Sequence, residues 1–359
     1  MTISPKRILL YRIGSLGDTV VALPSLNLVA RAFPGSERRL LTNFPVQVKA
    51  PPAAAILQNT GLIHSYLRYS IGTRSVRELL SLWWQIVRWR PHTLVYLSVA
   101  RGITTARRDA LFFRLCGIRH MIGVPNTEEM QQNRQDPVDQ TFEFEAARLA
   151  RNVSELGDAQ LDDPSNWNLH LTEAEHVRAA EVLVPTGERP LIAVSIGTKV
   201  QTNEWGHERW RNLLTRLASL YPDYAIAITG AAIDNEASEF IAAGWREGSS
   251  RVNGGPVINL CGLISPRESA AVFSRASVYV GHDSGPMHLA AAVQTPCVAI
   301  FSARGKPGTW FPYGRHHHVL YNQVDCWGCH LETCVIEQKK CINAITVDDV
   351  LHRIRRVLD

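Results

Sequence analysis

The chain has 359 residues, 45% of them apolar and 20% charged, and a net charge of +5, a balance suited to a globular protein with two cores. No apolar run approaches the roughly 18 to 20 residues of a spanning helix. The opening MTISPKRILLYRIGSLGD, broken by Arg12, lacks a signal peptide's apolar core and cleavage site, so the expectation is a cytoplasmic chain with reduced thiols.

The first predicted strand is Arg7–Arg12, followed by a turn and one amphipathic helix running to about Ala32. Pro34-Gly35 closes that unit and Arg39–Thr42 opens the next strand. Val76–Arg90 has helical spacing with a broad apolar face, Pro91 stops it, and Thr93–Ser98 is a strand. Helices follow over 104–117 and around Phe142–Ser154. A boundary is expected near Asp162–Asn166, giving one domain over 1–168 and a second over 169–345, with 346–359 a closing helix that packs back on the first domain. After a helix at 172–184, the second domain reads as strands Leu191–Ser195, Tyr224–Thr229, Val257–Leu260, Ser277–Val280 and Cys297–Phe301. The helices between them are His207–Leu220, 234–244, Pro266–Arg275 and His288–Val293. Strand–helix alternation of this kind predicts two doubly wound parallel sheets, with ligands at the carboxyl ends of strands in a cleft between them.

Charge is distributed unevenly. Residues 1–120 hold 17 Lys or Arg against four acids, whereas 169–359 hold 18 against 19. A net of +13 on the first third points to an anionic partner such as lipid headgroups or a phosphorylated acceptor. No helix-turn-helix, zinc-finger or RNP-like pattern supports nucleic acid.

Two turns carry the chemistry. Gly14-Ser15-Leu16-Gly17-Asp18 follows the first strand without matching the dinucleotide fingerprint. Asp18 there is either a helix-starting acid or a carboxylate able to deprotonate a hydroxyl. Gly281-His282-Asp283-Ser284-Gly285 stops a β-branched run and opens a small-residue helix, a place where free backbone N–H groups and the dipole favour phosphate. An ordinary crossover capped by Asp283 or Ser284 fits the same residues. Lys199, after the strand ending at Ser195, is either a phosphate contact or a surface lysine. Asp234 and Glu236, beyond Gly230, would hold ribose hydroxyls or simply start a helix. His316-His317-His318 reads as a surface run with no assigned role.

The pair RIGSLGDTVVALPSL near the start and GHDSGPMHLAAA near the end resembles glycosyltransferase family 9, the ADP-heptose:lipopolysaccharide heptosyltransferases of GT-B architecture. ITGAAIDNE and the Cys-rich end fall in the family's order, so the resemblance covers essentially the whole chain. It implies two Rossmann-like domains facing across a cleft, an acceptor-binding one and then a donor-binding one. Asp18 would be the general base of a single inverting displacement, with Gly14, Ser15, Gly17 and Thr19 shaping its loop. Asp283, Ser284, Gly285, Met287 and His288 would hold the donor diphosphate, with Lys199 reaching the same group and Asp234 the ribose. The family places a lysine two residues before the tryptophan matching Trp205; this chain has Asn203 there. That departure leaves room for another nucleotide sugar, a non-lipopolysaccharide acceptor (protein, capsule or small metabolite), or a non-catalytic binding protein. No cofactor is implied for the chemistry.

Cys326, Cys329, Cys334 and Cys341 form one cluster. A structural zinc or iron, disulfides and free thiols are the three readings, the disulfides disfavoured in a reducing compartment. Trp83, Trp84 and Trp89 with Arg77, Arg88 and Arg90 suit either a core helix with snorkelling arginines or a peripheral contact with the inner face of a membrane.

Overall fold

The computed structural model describes residues 6–44, 52–70, 72, 73, 75–250 and 254–359. The chain forms two compact units, Met1–His170 and Leu171–Asp359.

The first unit holds a five-stranded sheet of β1 (Arg7–Tyr11), β2 (Glu37–Asn43), β3 (Ser65–Tyr69), β4 (Thr93–Tyr96) and β5 (His120–Ile122), ordered β3-β2-β1-β4-β5. Every pairing is parallel. All of β4 and the last four residues of β1 are buried, as expected of parallel strands covered on both faces. Leu82, Ile86 and Trp89 of the helix Val76–Trp89 and Phe113 of the helix Ile103–Leu115 pack onto Leu9, Tyr11, Leu94 and Tyr96. The helix expected to run unbroken to Ala32 is two, Leu16–Val20 and Leu23–Ala32. Pro24, with no N–H to donate, fits only a first turn and so starts a new helix.

The second unit holds β6 (Leu191–Ser195), β7 (Ala225–Ile228), β8 (Val257–Asn259), β9 (Ala276–His282), β10 (Cys297–Phe301) and β11 (His318–Tyr321), ordered β11-β10-β9-β6-β7-β8. All are parallel. Trp205, Trp210 and Trp245 are fully buried in its core. The closing helix Val347–Leu358 was expected against the first domain. Its apolar stripe of Val350, Leu351 and Ile354 is instead buried in the core of the second unit.

Short strands are where the sequence signal fails: β3, β5 and β11 were not anticipated. Of the histidine run, His318 opens β11 while His316 stays exposed. His317 accepts the Cys297 N–H at 3.1 Å and bonds the Tyr313 carbonyl at 3.0 Å, and burial holds its imidazole down at about 4.

In each sheet the strand order reverses once, between β1 and β4 and between β6 and β9. Crevices at the carboxyl ends of such strands are where α/β sheets take ligands. The two Gly-containing turns singled out in the sequence follow β1 and β9.

Candidate active site

Beyond β1 the chain turns at Gly14, whose φ of +151° and position against Asp18 exclude a side chain; a Cβ there would lie 2.8 Å from Asp18 Oδ2. The Gly14 N–H donates to Asn43 Oδ1 at 2.8 Å, tying the turn to the end of β2. Ser15 then caps the short helix Leu16–Val20. Its N–H and its hydroxyl both donate to Asp18 Oδ2, at 2.6 and 2.8 Å. Thr19 is buried and returns its hydroxyl to the Ser15 carbonyl at 2.8 Å, and Gly17 is buried within the first turn.

Asp18 therefore does what a helix-starting acid does, but with one oxygen only. Oδ1 accepts no hydrogen bond from a described residue and lies 3.9 Å from Arg12 Nη2, on a side chain 21% exposed. Arg12, missed as a site residue, lies under the turn at 1% exposure. It donates to the Leu97 carbonyl at 2.6 Å and to the Asp18 carbonyl. Burial pulls its guanidinium below the ordinary range, against the opposing pull of Asp18 and Glu145. An arginine closing an otherwise apolar strand was the available signal, because a buried cation needs an anion or carbonyls to face.

A second polar group at this sheet edge also escaped the sequence reading. Arg101 Nη2 reaches Asp109 Oδ2 at 2.6 Å and the Tyr11 and Tyr96 hydroxyls at 2.9 and 3.1 Å. Burial and the Asp109 charge push Tyr96 up to about 12 and Tyr11 higher, so both phenols stay protonated as donors.

In the second unit β9 runs two residues past its predicted end, through Gly281 and His282. Ser284 then caps the helix Gly285–Ala292 with extended backbone at φ −156°, so the helix starts three residues earlier than expected. Its first-turn amides, bar that of Pro286, are the groups a helix leaves without internal partners. Asp283 donates its N–H to the Ile300 carbonyl at 3.1 Å. Met287 and His288 are buried, the latter with its ring 6.2 Å from that of Trp310.

Asn203 stands where the family pattern has lysine, and it is a buried clamp. Its Nδ2 donates to the Asp283 carbonyl at 3.1 Å, and its Oδ1 accepts the Ser302 hydroxyl at 2.5 Å. Beneath it His282 is fully enclosed. Nε2 accepts from the Trp205 N–H at 3.2 Å and the Trp210 indole at 3.0 Å, so the proton sits on Nδ1, facing the Ile196 carbonyl at 3.1 Å. Burial drives this imidazole down to about 3.

Lys199 lies exposed in the turn after β6. Asp234 is cradled by Gly197 and Gly230. Its Oδ2 accepts the Ala231 N–H at 3.0 Å, and a Cβ on Gly197 would fall 2.9 Å from its Cγ. Lys199, Asp234, Asn203 and Asp283 thus all sit at the carboxyl ends of β6, β7 and β9.

Cys326, Cys329, Cys334 and Cys341 line one cavity of about 20 Å³. Left-handed backbone at His330, Gln338 and Lys339 folds the segment around it. Cys334 Sγ accepts the Lys339 N–H at 3.3 Å, a bond that a thiolate ligand would keep. Among the described residues no three ligand-type side chains already stand in a metal-holding arrangement. The donor set fits a soft, thiolate-binding metal, and the side chains would have to close around it. This segment is stitched to the Asn203 turn: Thr202 donates its hydroxyl to the Leu331 carbonyl at 2.9 Å, and Cys334 its N–H to Gln201 Oε1 at 3.1 Å.

The family model described as glycosyltransferase family 9 (heptosyltransferase) matches residues 104–340. Lipopolysaccharide heptosyltransferase 1 of Pseudomonas aeruginosa is 24% identical over 92% of this chain and 88% of its own length. Lipooligosaccharide heptosyltransferase 2 of Haemophilus influenzae is 30% identical over 32% of either chain. Among solved structures, a family 9 glycosyl transferase from Veillonella parvula superposes with a TM-score of 0.72 at 18% identity, covering 100% of this chain and 98% of that one. The Escherichia coli ADP-heptose lipopolysaccharide heptosyltransferase II gives 0.67 at 18%, covering 98% of each. The iron-containing dodecameric glycosyltransferase TibC of enterotoxigenic E. coli gives 0.53 at 13%, covering 99% of this chain and 77% of that one.

Proposed function

The chain belongs to glycosyltransferase family 9, and on that premise we propose that it transfers heptose from ADP-heptose to a hydroxyl of an anionic acceptor, such as a lipopolysaccharide core intermediate, with inversion. The single observation that carries this reading is the divided Asp18 carboxylate: Oδ2 is fixed by two donors from Ser15, and Oδ1 is left to take a proton. The acceptor hydroxyl gives its proton to Oδ1 as its oxygen bonds to the anomeric carbon. The bond from that carbon to the β-phosphate oxygen breaks, the sugar inverts, and ADP leaves with the electron pair. One base suffices, and no covalent sugar–enzyme intermediate forms.

In this reading the second unit supplies the leaving-group site. Backbone N–H groups around Asp283, Ser284, Gly285, Met287 and His288 stabilise the developing diphosphate charge, Lys199 adds a cation, and Asp234 meets the ribose. The first unit, with its excess of basic residues, takes the anionic acceptor. Replacing Asp18 by Asn tests the base. Transfer lost with ADP binding kept supports the reading; turnover near that of the unaltered enzyme overturns it.

Asn203 favours one alternative, a different nucleotide-sugar donor. A neutral amide tied to Asp283 and Ser302 replaces the family's phosphate-facing cation. Thermal shifts with ADP, UDP, GDP and their sugars separate the donors, and no shift with any of them would favour a non-catalytic protein.

For the cysteines we propose a structural zinc or iron on Cys326, Cys329, Cys334 and Cys341, outside the chemistry. Metal analysis of the purified chain should find about one ion per chain, reduced in Cys329→Ser along with the melting temperature. A metal-free chain with normal stability would overturn this.

A further inference from the structure

The helices Val76–Trp89 and Ile103–Leu115 pack side by side on the first sheet, joined by the Trp83 indole donating to the Leu115 carbonyl at 3.0 Å. Their outward faces are not what the outside of a water-exposed domain usually presents. Val76, Leu80 and Trp84, spaced four residues apart, are 68, 58 and 58% exposed, and Leu111 and Leu115 on the neighbouring helix are 58 and 66% exposed. Singly such residues need no explanation. Five of them on two helices linked through Trp83 and Leu115 leave a large apolar area exposed, the kind of surface that marks an interaction site.

The exposed charges on these two helices all have one sign. Arg77, Arg88, Arg107, Arg108 and Arg114 flank the apolar face, all exposed. The two helices carry only two acids, and both are occupied. Glu78 accepts the Ser70 N–H and the Thr73 hydroxyl at 2.9 and 2.6 Å. Asp109 is buried with Arg101, Tyr11 and Tyr96, its other oxygen 3.3 Å from Arg108. Beside the first turns of the Val76–Trp89 helix lies a surface cavity of about 350 Å³, lined by Arg68 and Arg77 with Glu78, Ser75 and Gln85. Its size and its two guanidinium groups suit a phosphate headgroup.

We propose that this face seats the first unit on an anionic lipid bilayer, with Leu80, Trp84, Leu111 and Leu115 at the headgroup–acyl boundary and the flanking arginines on lipid phosphates. Apolar side chains ringed by arginine, with a tryptophan among them, match that interface from both sides. A protein partner would be expected to offer acids to the arginines; a bilayer offers phosphates and an apolar layer together. The membrane contact follows from the surface alone, and only its purpose, bringing the enzyme to a lipid-linked acceptor, rests on the proposed function.

The test is co-sedimentation of the full chain with vesicles of phosphatidylethanolamine and phosphatidylglycerol, against vesicles of phosphatidylcholine alone. Binding is expected to the anionic vesicles, reduced at least tenfold in 0.5 M salt. The double variant Leu80→Ser/Trp84→Ser should lose at least tenfold in vesicle affinity while keeping wild-type turnover on a water-soluble acceptor. Equal sedimentation of variant and wild type, or none with anionic vesicles, overturns the proposal. So does a dimer in light scattering that the double variant converts to monomer, since the face would then cover a second copy. Turnover abolished by Asp18→Asn with vesicle binding intact separates this inference from the reading of the catalytic site.

Discussion

The loop after β1 and the loop after β9 occupy equivalent places, each at the one reversal of strand order in its sheet, yet they are built differently. Asp18 is fixed by Ser15, three residues away, and backed by Arg12, six residues away. Asp283 is held by Asn203, 80 positions earlier, and through it by Ser302. A carboxylate held within its own turn can be understood from a dozen residues. A loop held across the fold depends on distant turns, so damage to it can start far from the loop.

The contrast makes kinetic predictions, the largest at Asp18. Asp18→Asn keeps the size of the side chain and removes the proposed base, so kcat should fall by about 10² to 10⁴, the usual range for a positioned general base. The dissociation constant for ADP-heptose, read by calorimetry, should stay within about twofold. A large loss of donor affinity would show that the first loop also serves the donor.

Asn203→Ala should do the reverse. It removes the donor to the Asp283 carbonyl and the acceptor of the buried Ser302 hydroxyl, and an orphaned buried group costs about 1–3 kcal/mol. Donor affinity should weaken by about 10- to 100-fold, with kcat at saturation changed far less. An effect on kcat alone would mean that Asn203 serves the chemistry and not the loop.

The two supports also differ in how they respond to acid. Arg12 stays charged throughout the physiological range, whereas His282, under the second loop, is buried neutral and pushed down to about 3 from an ordinary 6.5. Below pH 6.5 an unfolded histidine takes a proton that folded His282 refuses. The stability it contributes is therefore complete above pH 6.5 and is lost down to about pH 3, at about 1.4 kcal/mol per pH unit. His317, held at about 4, adds a loss of the same sign between 6.5 and 4. Urea unfolding at pH 7 and pH 5.5 should show the drop, and His282→Gln should shrink it by about 1.4 kcal/mol. An unchanged difference would mean that another group carries the pH dependence.

The same local-versus-distant division sets how much could be read in the sequence. Long buried strands, helix periods and both Gly-containing turns were legible, since each depends on its own neighbours. The three- to five-residue strands β3, β5 and β11 were not, because pairing with an adjacent strand defines them more than their own pattern does. Lys199, Asp234 and Asp283 gather at strand ends because sheet order brings them there, and that order is encoded in packing between remote segments. Asn203 looked like a missing lysine and became a clamp only with Asp283 and Ser302 in place. Arg12 looked like an interruption in an apolar run and became a support only with Leu97 and Asp18 around it.

Ser15→Ala is expected to have the smallest effect, and it bears most directly on the comparison. It removes one of the two donors to Asp18 Oδ2, the hydroxyl at 2.8 Å, but leaves the backbone N–H at 2.6 Å. One hydrogen bond to a charged group contributes about 1.5–3 kcal/mol net, but here the remaining donor still fixes the same oxygen. The loss in kcat should therefore stay within about tenfold, below the donor-affinity loss of Asn203→Ala, which takes away both the bond to the Asp283 carbonyl and the bond from the Ser302 hydroxyl. Ser15→Gly should resemble Ser15→Ala if the hydroxyl acts only as a donor, and fall further if the extended cap conformation also matters. A Ser15→Ala enzyme as impaired as Asp18→Asn would show that the first loop has no redundancy, and the difference between locally and remotely supported loops would collapse.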